Sequence, residues 1–380
     1  MRRQYDVAVV GAGAFGAWIA YHLRRKGKSV ALLDSYGAGH SRSSSGGETR
    51  IMRMGYGPDE LYTRFALRSM KLWRDFMRRC RQQLFVRTGM LWLARRRDRY
   101  PLETLDTLTR LHVPCENLSR RELRRRFPQF SLRGVEWALL EPEAGVILAR
   151  RAVQALVAQA VEDGVDYIAE AVEAPPVRWR LEAIITNTRR RVVANEFVFA
   201  CGAWLPRMFP QRLAKRIFPT RQEVFFFSVA PGSGRYGPPA MPAWYSYADH
   251  IYGVPDIENR GIKIGFDWHG PPFDPETADR LISQRGLHIM REHLRRYFPQ
   301  LRDAPLTESR VCAYENTSDG NFLIDRHPDI ENLWIAGGGS GHGFKHAPAV
   351  GEYVADSGNA CAEPRFAYAS KATVKHRKVY

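Results

Sequence analysis

Apolar runs that stop at glycine recur from one end of the chain to the other. The run YDVAVV (5–10) ends at the turn GAGAFG, and the apolar spacing of the following AWIAYHLRRKG indicates a helix closed by Gly27. SVALLD (29–34) is typical of a second buried strand. Strand, glycine turn, helix and strand make a βαβ unit, which predicts a parallel sheet at the start of the chain.

Later apolar runs extend this unit. RRVVANEFVFACGAW (190–204) and ENLWIAGGGSGHG (331–343) each finish an apolar strand at glycine, and RAVQALVAQAVEDG (151–164) has helical spacing. The fold class that we predict is α/β, or α+β over the whole chain, with a discontinuous Rossmann-like nucleotide-binding domain. We expect that domain to comprise residues 1–84, 144–217 and 318–370.

The stretches between these runs have a different character. EVFFFSV, HIYGVP and IKIGFDW are rich in aromatic and β-branched residues and are separated by proline and glycine. This pattern predicts a second, mainly antiparallel sheet that binds substrate, over residues 85–143 and 218–317. We expect residues 371–380 to form a frayed basic tail.

The charge of the chain raises the question of nucleic-acid binding. The 380 residues carry a formal net charge of +17, concentrated in RRELRRR (120–126), ARRRDR (94–99) and NTRRRV (187–192). Such clusters are typical of solvated helix faces, and none matches a helix-turn-helix, zinc finger or RNP motif. Nucleic-acid binding on a vestigial flavin fold is therefore a remote alternative. The positive charge could instead steer small anionic substrates to the protein.

Cysteine usage favours a reducing compartment. Cys80, Cys115, Cys201, Cys312 and Cys361 are odd in number, widely separated and free of CxxC spacing, which argues against a disulfide framework or a metal site. The 14-residue apolar run VAVVGAGAFGAWIA is too short to span a bilayer, and no cleavage-like segment follows it. We therefore expect a cytoplasmic protein without a membrane partner.

The first glycine turn carries a dinucleotide motif. Gly11 permits the tight turn, Gly13 lets the backbone approach a pyrophosphate, and Gly16 allows helix and strand to pack closely. Asp34 ends the second strand, where a carboxylate can bind a ribose hydroxyl. The motif predicts a dinucleotide site, but it does not distinguish NAD from FAD.

Five segments decide between these cofactors by resemblance. HSRSSSGGETRIMRMGYG (40–57), GAW (202–204), GIKIGF (261–266), VCAY (311–314) and SGHGFK (340–345) resemble, in order, segments of monomeric sarcosine oxidase and N-methyltryptophan oxidase. These are flavin amine oxidases of the D-amino-acid-oxidase-like superfamily. The resemblance implies FAD, a small secondary amino acid or cyclic imino acid as substrate, O2 as electron acceptor, and a monomeric enzyme.

The same resemblance implies how FAD is held. The cysteine matching Cys312 carries FAD through a thioether to the flavin 8α-methyl carbon, whereas an isolated cysteine would be a small buried hydrophobe. His342 is expected to contact the cofactor, with a solvated loop histidine as the alternative, and the helix APAVGEYV, starting near Pro348, is expected to point its N-terminus at the flavin. The predicted cofactor contacts besides Cys312 are Gly11, Gly13, Ala14, Gly16, Asp34, Ser35, His40, Ser44, Arg50, Val172, Gly202, Trp204, Gly339, Gly341, His342, Gly343, Phe344 and Lys345.

The resemblance implies that three cationic side chains take part in the reaction. By resemblance, Arg53 and Lys345 bind the substrate carboxylate, although an arginine in ETRIMR could equally form a surface ion pair. Lys263 alternates with Ile262 and Ile264, so its side chain lies on the opposite face of a strand. That face would ordinarily be solvent, and the resemblance instead places Lys263 over the flavin, where a positive charge favours oxygen reduction.

The chain departs from the resemblance in the expected substrate pocket. Ser45 and Gly46 replace two histidines, Ile251 precedes Tyr252 where a tyrosine pair is expected, and Asp267 replaces a histidine. Sarcosine itself is therefore not the expected substrate, and Asp267 offers a negative group to a cationic one. Aromatic side chains that line the pocket, or else form core, are Trp244, Tyr245, Tyr247, Tyr252 and Trp268.

These observations predict an FAD-dependent amine oxidase. The substrate carbon beside a neutral amine gives a hydride to flavin N5, which needs orientation more than a dedicated base. The products would be an imine and, with O2, hydrogen peroxide. The alternative is a flavin dehydrogenase that uses another acceptor, for which a biosynthetic pathway is one setting.

Overall fold

The computed structural model describes residues 4–357 and 363–374. In chain order, its strands are β1 (Gln4–Val10), β2 (Val30–Leu33), β3 (Arg50–Met52), β4 (Phe85–Val86), β5 (Met90–Ala94), β6 (Glu116–Ser119), β7 (Trp137–Glu141), β8 (Gly145–Ile147), β9 (Asp166–Ile168), β10 (Ala183–Ile185), β11 (Arg191–Phe199), β12 (Phe218–Phe227), β13 (Ala243–Ser246), β14 (Ile251–Val254), β15 (Ile262–Phe266), β16 (Leu306–Asn316), β17 (Leu323–His327) and β18 (Ile330–Gly337).

Helices cover much of the remaining chain. They are α1 (Ala14–Arg25), α2 (Glu60–Cys80), α3 (Arg99–Arg110), α4 (Arg120–Arg126), α5 (Ala149–Glu162), α6 (Leu205–Met208), α7 (Pro210–Leu213), α8 (Gln284–Tyr297) and α9 (Gly343–Asp356). Within residues 4–357 and 363–374, none of them has the length and apolar character that a membrane span requires.

The first large sheet has seven strands in the order β17-β18-β11-β1-β2-β9, with β10 paired to β11. From β18 to β9 the strands are parallel. The VALL sequence of β2 is buried throughout because parallel strands of this kind are covered on both faces. Parallel strands end at the same edge of a sheet, so the glycine turns after β1, β11 and β18 meet there. The predicted Rossmann-like arrangement is confirmed.

The second large sheet has eight strands in the order β16-β12-β15-β14-β13-β5-β7-β6. Its pairs are antiparallel except for the parallel pair of β13 and β5. The predicted strands EVFFFSV, HIYGVP and IKIGFDW correspond to parts of β12, β14 and β15. One face of these strands packs into an apolar core that includes Phe225, Phe227, Ile262 and Ile264, so the other face is left for the site.

Helix α9 differs from its prediction. It begins at Gly343, so Pro348 lies inside the helix and not near its start. Proline in a helix interior removes one main-chain hydrogen bond and is tolerated where tertiary packing holds the helix. Here α9 packs against both α1 and α2, and Pro348 itself is buried.

The predicted frayed tail was wrong at its first residue, while residues 375–380 lie outside the described part. Lys371 is 2% exposed. Its Nζ donates to Asp319 Oδ2 at 3.1 Å, and the Ala372 amide donates to Ser318 Oγ at 3.0 Å. Phe366, fully buried just upstream, fixes the segment against Tyr62 and Phe322, so the charge of Lys371 neutralises a local carboxylate instead of facing solvent.

Candidate active site

A cavity of about 680 Å³ is lined by residues of both large sheets. Of the predicted cofactor contacts, the three predicted cations, Asp267 and the pair Ile251 and Tyr252, all except Gly16 and Ile251 lie on its wall. The wall joins the glycine turn after β1 to Cys312 on β16 and Lys345 on α9. Cofactor and substrate positions inferred from distant parts of the chain therefore belong to one space.

The dinucleotide end of the cavity is built from backbone. Gly11 has φ +103°, and a Cβ added there would lie 2.5 Å from the carbonyl oxygen of Ala200. Asp34 accepts hydrogen bonds from the Ala12 amide at 2.8 Å and the Tyr36 amide at 2.9 Å, which ties the second strand to the turn. Gly16 lies beneath the turn and not on the wall, because its missing Cβ makes room for the Gly11 carbonyl.

Cys312 lies on β16, opposite Gln222 of β12. Nη2 of Arg50 donates toward its sulfur at 3.6 Å, and the thiol donates to the Ser44 carbonyl oxygen at 3.6 Å. The same Arg50 Nη2 donates to the Ser44 carbonyl oxygen at 2.6 Å. The sulfur is therefore a half-buried thiol on the cavity wall, beside a fixed positive charge, and not a member of an apolar core.

Lys263 enters the cavity from β15. Its neighbours Ile262 and Ile264 face the core on the other side of the strand, as the alternation predicts. Lys263 is 4% exposed, which excludes a solvent-facing role, and its Nζ donates to the Thr49 carbonyl oxygen at 2.8 Å. Burial, and then the positive charge of Arg50, lowers the pKa of Lys263 well below its ordinary value.

Arg53 is held between two aromatic rings. Its guanidinium carbon lies 4.5 Å from the ring centroid of Tyr56 and 4.6 Å from that of Trp92. Glu141, fully buried at the end of β7, supplies the counter-charge and accepts hydrogen bonds from Trp92 Nε1 at 2.8 Å and the Met54 amide at 2.7 Å. Burial raises the pKa of Glu141, while those bonds and Arg53 oppose the rise. A surface ion pair for Arg53 is excluded, since it is 9% exposed.

Lys345, in the first turn of α9, meets the same tyrosine. Its Nζ donates to the Tyr56 hydroxyl oxygen at 3.0 Å and to the His342 carbonyl oxygen at 3.2 Å. His346 Nε2 lies 2.6 Å from that hydroxyl. Burial and the positive charge of Lys345 lower the pKa of His346 well below its usual value, so His346 is neutral beside the Tyr56 hydroxyl. Tyr56 thus orients both cations, one through its ring and one through its oxygen.

His342 is buried, which excludes the solvated alternative. It is 5% exposed, and its Nε2 donates to the Gly320 carbonyl oxygen at 3.0 Å. Not every glycine of GGGSGHGFK makes room for a ligand, because a Cβ added at Gly341, which has φ +81°, would lie 2.6 Å from the Tyr314 ring. That glycine makes room for a tyrosine of the wall itself.

The structure corrects Ile251 as a pocket residue. Ile251 and Tyr252 are adjacent on β14, so they face opposite ways; Ile251 is fully buried in the core, and Tyr252 lines the cavity. Tyr314 lies between Tyr252 and Asp267, and its hydroxyl donates to Asp267 Oδ1 at 3.4 Å. Burial raises the pKa of both tyrosines, which therefore remain neutral donors.

The proposed aromatic pocket is only partly present. Tyr245 and Tyr252 line the cavity, whereas Trp244 is core, Tyr247 stacks on Tyr100, and Trp268 stacks on Phe266 with 39% exposure. Sequence reasoning missed several residues that support or line the site: Thr49, Tyr56, Trp92, Glu141, Tyr314, Glu315 and His346. A glutamate that ends the apolar strand WALLE was the clearest available signal among them.

The residues present fit FAD. The glycine turn leaves room for a pyrophosphate, the Asp34 carboxylate suits ribose hydroxyls, and the sulfur and cations lie at the other end for a flavin ring. A model of the DAO family, FAD dependent oxidoreductase, matches residues 6–357. The chain belongs to this family.

Proteins similar to this one match over nearly the whole chain. Monomeric sarcosine oxidase of Streptomyces avermitilis is 32% identical over 366 residues, 94% of each chain. Peroxisomal sarcosine oxidase of Homo sapiens is 33% identical, over 92% of this chain and 91% of that protein. The structure of L-proline dehydrogenase from P. horikoshii has a TM-score of 0.83 at 23% identity, over 97% of this chain and 98% of that one. The sarcosine oxidase resemblance is confirmed, and the protein is an FAD-dependent oxidoreductase of that type.

Proposed function

We propose that the protein oxidises a small secondary amino acid or cyclic imino acid at its C–N bond, as a monomer that carries FAD on Cys312. The observation that carries this proposal is the meeting of Arg53, Lys345, Lys263 and Cys312 on the wall of one cavity. Three cations beside a half-buried thiol suit a carboxylate-bearing substrate and an electron-rich ring better than they suit any neutral ligand.

When bound, FAD would supply the acceptor for a hydride from the carbon beside the substrate nitrogen and the route by which two electrons, with two protons, convert O2 to hydrogen peroxide. Arg53 and Lys345 bind the substrate carboxylate. Arg53 is already stacked on Tyr56 and charge-balanced by Glu141, and Lys345 is already bonded to Tyr56. Because both side chains are ordered before substrate arrives, little of the binding free energy is lost in ordering them.

The amine must lose its proton before the hydride leaves. Tyr252 and Tyr314 stay neutral and do not act as bases, so we propose that the positive wall of Arg53, Lys345 and Lys263 disfavours the ammonium form of the substrate. The negative charge of Asp267, bonded to Tyr314, lies on this wall and favours a substrate with a second, cationic group.

Lys263 acts in the oxidative half of the cycle. In its charged form Lys263, held by Thr49, favours the negative charge that O2 acquires as it is reduced. Arg50 acts at Cys312, where its guanidinium donates toward the sulfur and orients it for attachment of the cofactor.

The test is anaerobic absorbance of the purified yellow protein mixed with sarcosine, N-methyl aromatic amino acids, proline, pipecolate or primary amino acids. We expect one secondary amine to bleach the flavin and air to restore the colour with release of peroxide. Bleaching without peroxide on aeration, together with fast dye reduction, would identify a dehydrogenase that uses another acceptor. Bleaching by primary amines alone would contradict the substrate class.

Acid precipitation tests the covalent link separately. The yellow colour is expected in the pellet of the wild-type protein and in the supernatant of Cys312→Ser. Colour in the supernatant for both proteins would refute the attachment and leave the proposed reaction standing.

A further inference from the structure

A turn over residues 247–250 joins β13 to β14 and ends at His250. Among the residues that the structure describes, His112 and His250 are the histidines with a positive φ, +54° and +51°. Residues with a side chain adopt this left-handed conformation infrequently. His112 follows the last turn of α3, where a left-handed residue commonly ends a helix. His250 follows a strand, so a helix end does not account for its conformation.

His250 contacts two residues of the cavity wall. Its Nδ1 lies 3.1 Å from the hydroxyl oxygen of Tyr245, and its carbonyl oxygen accepts a hydrogen bond from the Asp267 amide at 2.8 Å. Tyr245 and Asp267 line the cavity, whereas His250 does not. A single residue outside the cavity therefore holds two separate parts of its wall, one through its side chain and one through its main chain.

The ring of His250 also completes a cluster of aromatic side chains. Ring centroids of His250 and Tyr247 lie 5.7 Å apart, and Tyr247 stacks on Tyr100 at 5.6 Å. Tyr100 lies 6.0 Å from Trp92, which in turn lies 5.5 Å from Tyr245. Tyr245 is thus held on two sides, by the Trp92 ring and by the His250 nitrogen. Aromatic pairs at these separations are stabilising, so the cluster fixes the Tyr245 ring in one orientation.

The turn is anchored without the His250 side chain. Asp249 forms an ion pair with Nη1 of Arg296 on α8 at 3.0 Å, and the Tyr247 amide donates to the Leu93 carbonyl oxygen at 3.3 Å. Both contacts remain when His250 is replaced by glycine, which adopts a positive φ without steric cost. The contribution of the His250 side chain can therefore be measured in a folded protein.

We propose that His250 is a positioning residue that sets substrate selectivity by fixing the Tyr245 ring and the Asp267 main chain. The inference rests on the proposed function, in which Arg53 and Lys345 hold the substrate carboxylate. The remainder of the substrate then has to fit the other parts of the wall, which include Tyr245 and Asp267. A ring that is held in place excludes bulky substituents by steric clash, and this repulsive contact is lost when the ring can move.

The first experiment compares variants of the full-length, flavin-loaded protein. His250→Gly keeps the backbone conformation and removes the ring. His250→Asn also tolerates a positive φ and places a hydrogen-bonding atom where Nδ1 was. His112→Gly is the matched control, because it makes the same change at nearly the same φ in an exposed residue that does not line the cavity.

Selectivity is the ratio of kcat/KM for N-methylphenylalanine to that for sarcosine, or for pipecolate to that for proline. We expect His250→Gly to raise this ratio by about five- to tenfold, the usual effect of losing one hydrogen bond, through KM and with little change in kcat. His250→Asn and His112→Gly should match the wild type. Dissociation constants of benzoate and acetate, measured from the flavin absorbance, give a second ratio that needs no turnover and should shift in the same direction.

Fluorine NMR of 3-fluorotyrosine at position 245 tests the contact itself. Its resonance should shift in His250→Gly and stay at the wild-type position in His250→Asn. An unchanged resonance in His250→Gly would overturn the proposal, and so would a shifted resonance with both selectivity ratios unchanged or an equal change in His112→Gly. If no amine bleaches the flavin, the proposed function fails, while the fluorine resonance and the ratio for benzoate and acetate still decide the role of His250.

Discussion

The two ends of the cavity are constructed in different ways. At the dinucleotide end, main-chain atoms form the wall, through the positive φ of Gly11 and the amides that Asp34 fixes. At the reaction end, the wall consists of long charged side chains, Arg53, Lys263 and Lys345, each fixed by a neighbour. Where backbone forms the wall, adding an atom should prevent cofactor binding. Where side chains form the wall, removing a contact should slow the reaction.

The largest effect is expected from an added atom at the backbone end. A Cβ in Gly11→Ala would meet the Ala200 carbonyl oxygen at 2.5 Å, in a backbone conformation that alanine disfavours. We expect the purified protein to contain no flavin. Gly27→Ala is the matched control, because Gly27 also has a positive φ, +83°, but no atom lies within 4 Å of its added Cβ. A fully loaded Gly11→Ala protein would show that this turn does not bind the cofactor.

The next largest effect is expected from a substitution that removes a charge at the reaction end while FAD stays bound. Lys263→Met should slow reoxidation by O2 by about 10² to 10³, the usual cost of losing one preorganised electrostatic contact. Flavin reduction should change by less than about tenfold. Stopped-flow absorbance measures both half-reactions, with the exposed Lys71→Met as the control. Equal slowing of the two half-reactions would remove the assigned role.

The lowered pKa of Lys263 also predicts that the rate of reoxidation depends on pH. Its pKa lies well below the ordinary value, and the charged form is the useful one. Reoxidation should therefore be fastest below that lowered pKa and slow as the pH rises through it. The same profile measured with Lys263→Met should be flat; a profile identical to the wild type would assign the titration to another group.

A smaller effect is expected where the ring of Tyr56 is kept and its oxygen is lost. Tyr56→Phe leaves Arg53 stacked but removes the hydroxyl between Lys345 and His346. We expect KM to rise about tenfold with little change in kcat, since one hydrogen bond to a charged group contributes about 1.5 kcal/mol. Tyr62→Phe, an adjacent buried tyrosine that packs on Tyr56, serves as the control. If both variants raise KM equally, the effect is general packing.

The smallest effect concerns Asp267. Charge pairs with solvent access contribute about 1 kcal/mol or less, so Asp267→Asn should reduce the preference for basic over neutral substrates by about fivefold at most. Ratios of kcat/KM for matched substrate pairs measure this change. An unchanged ratio would refute the selectivity role and leave Asp267 with a structural one, which includes its hydrogen bond with Tyr314.

The same contrast explains what the sequence could predict. The Gly11 turn and Asp34 follow fixed spacing along one βαβ unit, and the alternation around Lys263 fixes the face of its side chain. Alternation also shows that Ile251 and Tyr252 cannot share a face, and the prediction that included both ignored it. For neighbouring strand residues, strand geometry predicts which side chain faces the cavity better than the family resemblance does.

Sequence spacing could not predict the side chains that hold the charged residues of the reaction end. The charge of Glu141 acts on Arg53 from a strand far along the chain, and His346 contacts Tyr56 from α9. No local period relates these positions, because their proximity arises from packing between separate elements. The interior Pro348 was misread for the same reason, since the contacts of α9 with α1 and α2 outweigh the local preference of proline.

The buried Lys371 makes a stop introduced before this residue harmful to the site. It holds Asp319 in the loop whose next residue, Gly320, accepts the hydrogen bond from His342. Loss of Lys371 would remove this ion pair and so weaken the support of His342, which lines the cavity. The length of chain retained after α9 is therefore a variable to control whenever preparations of the enzyme are compared.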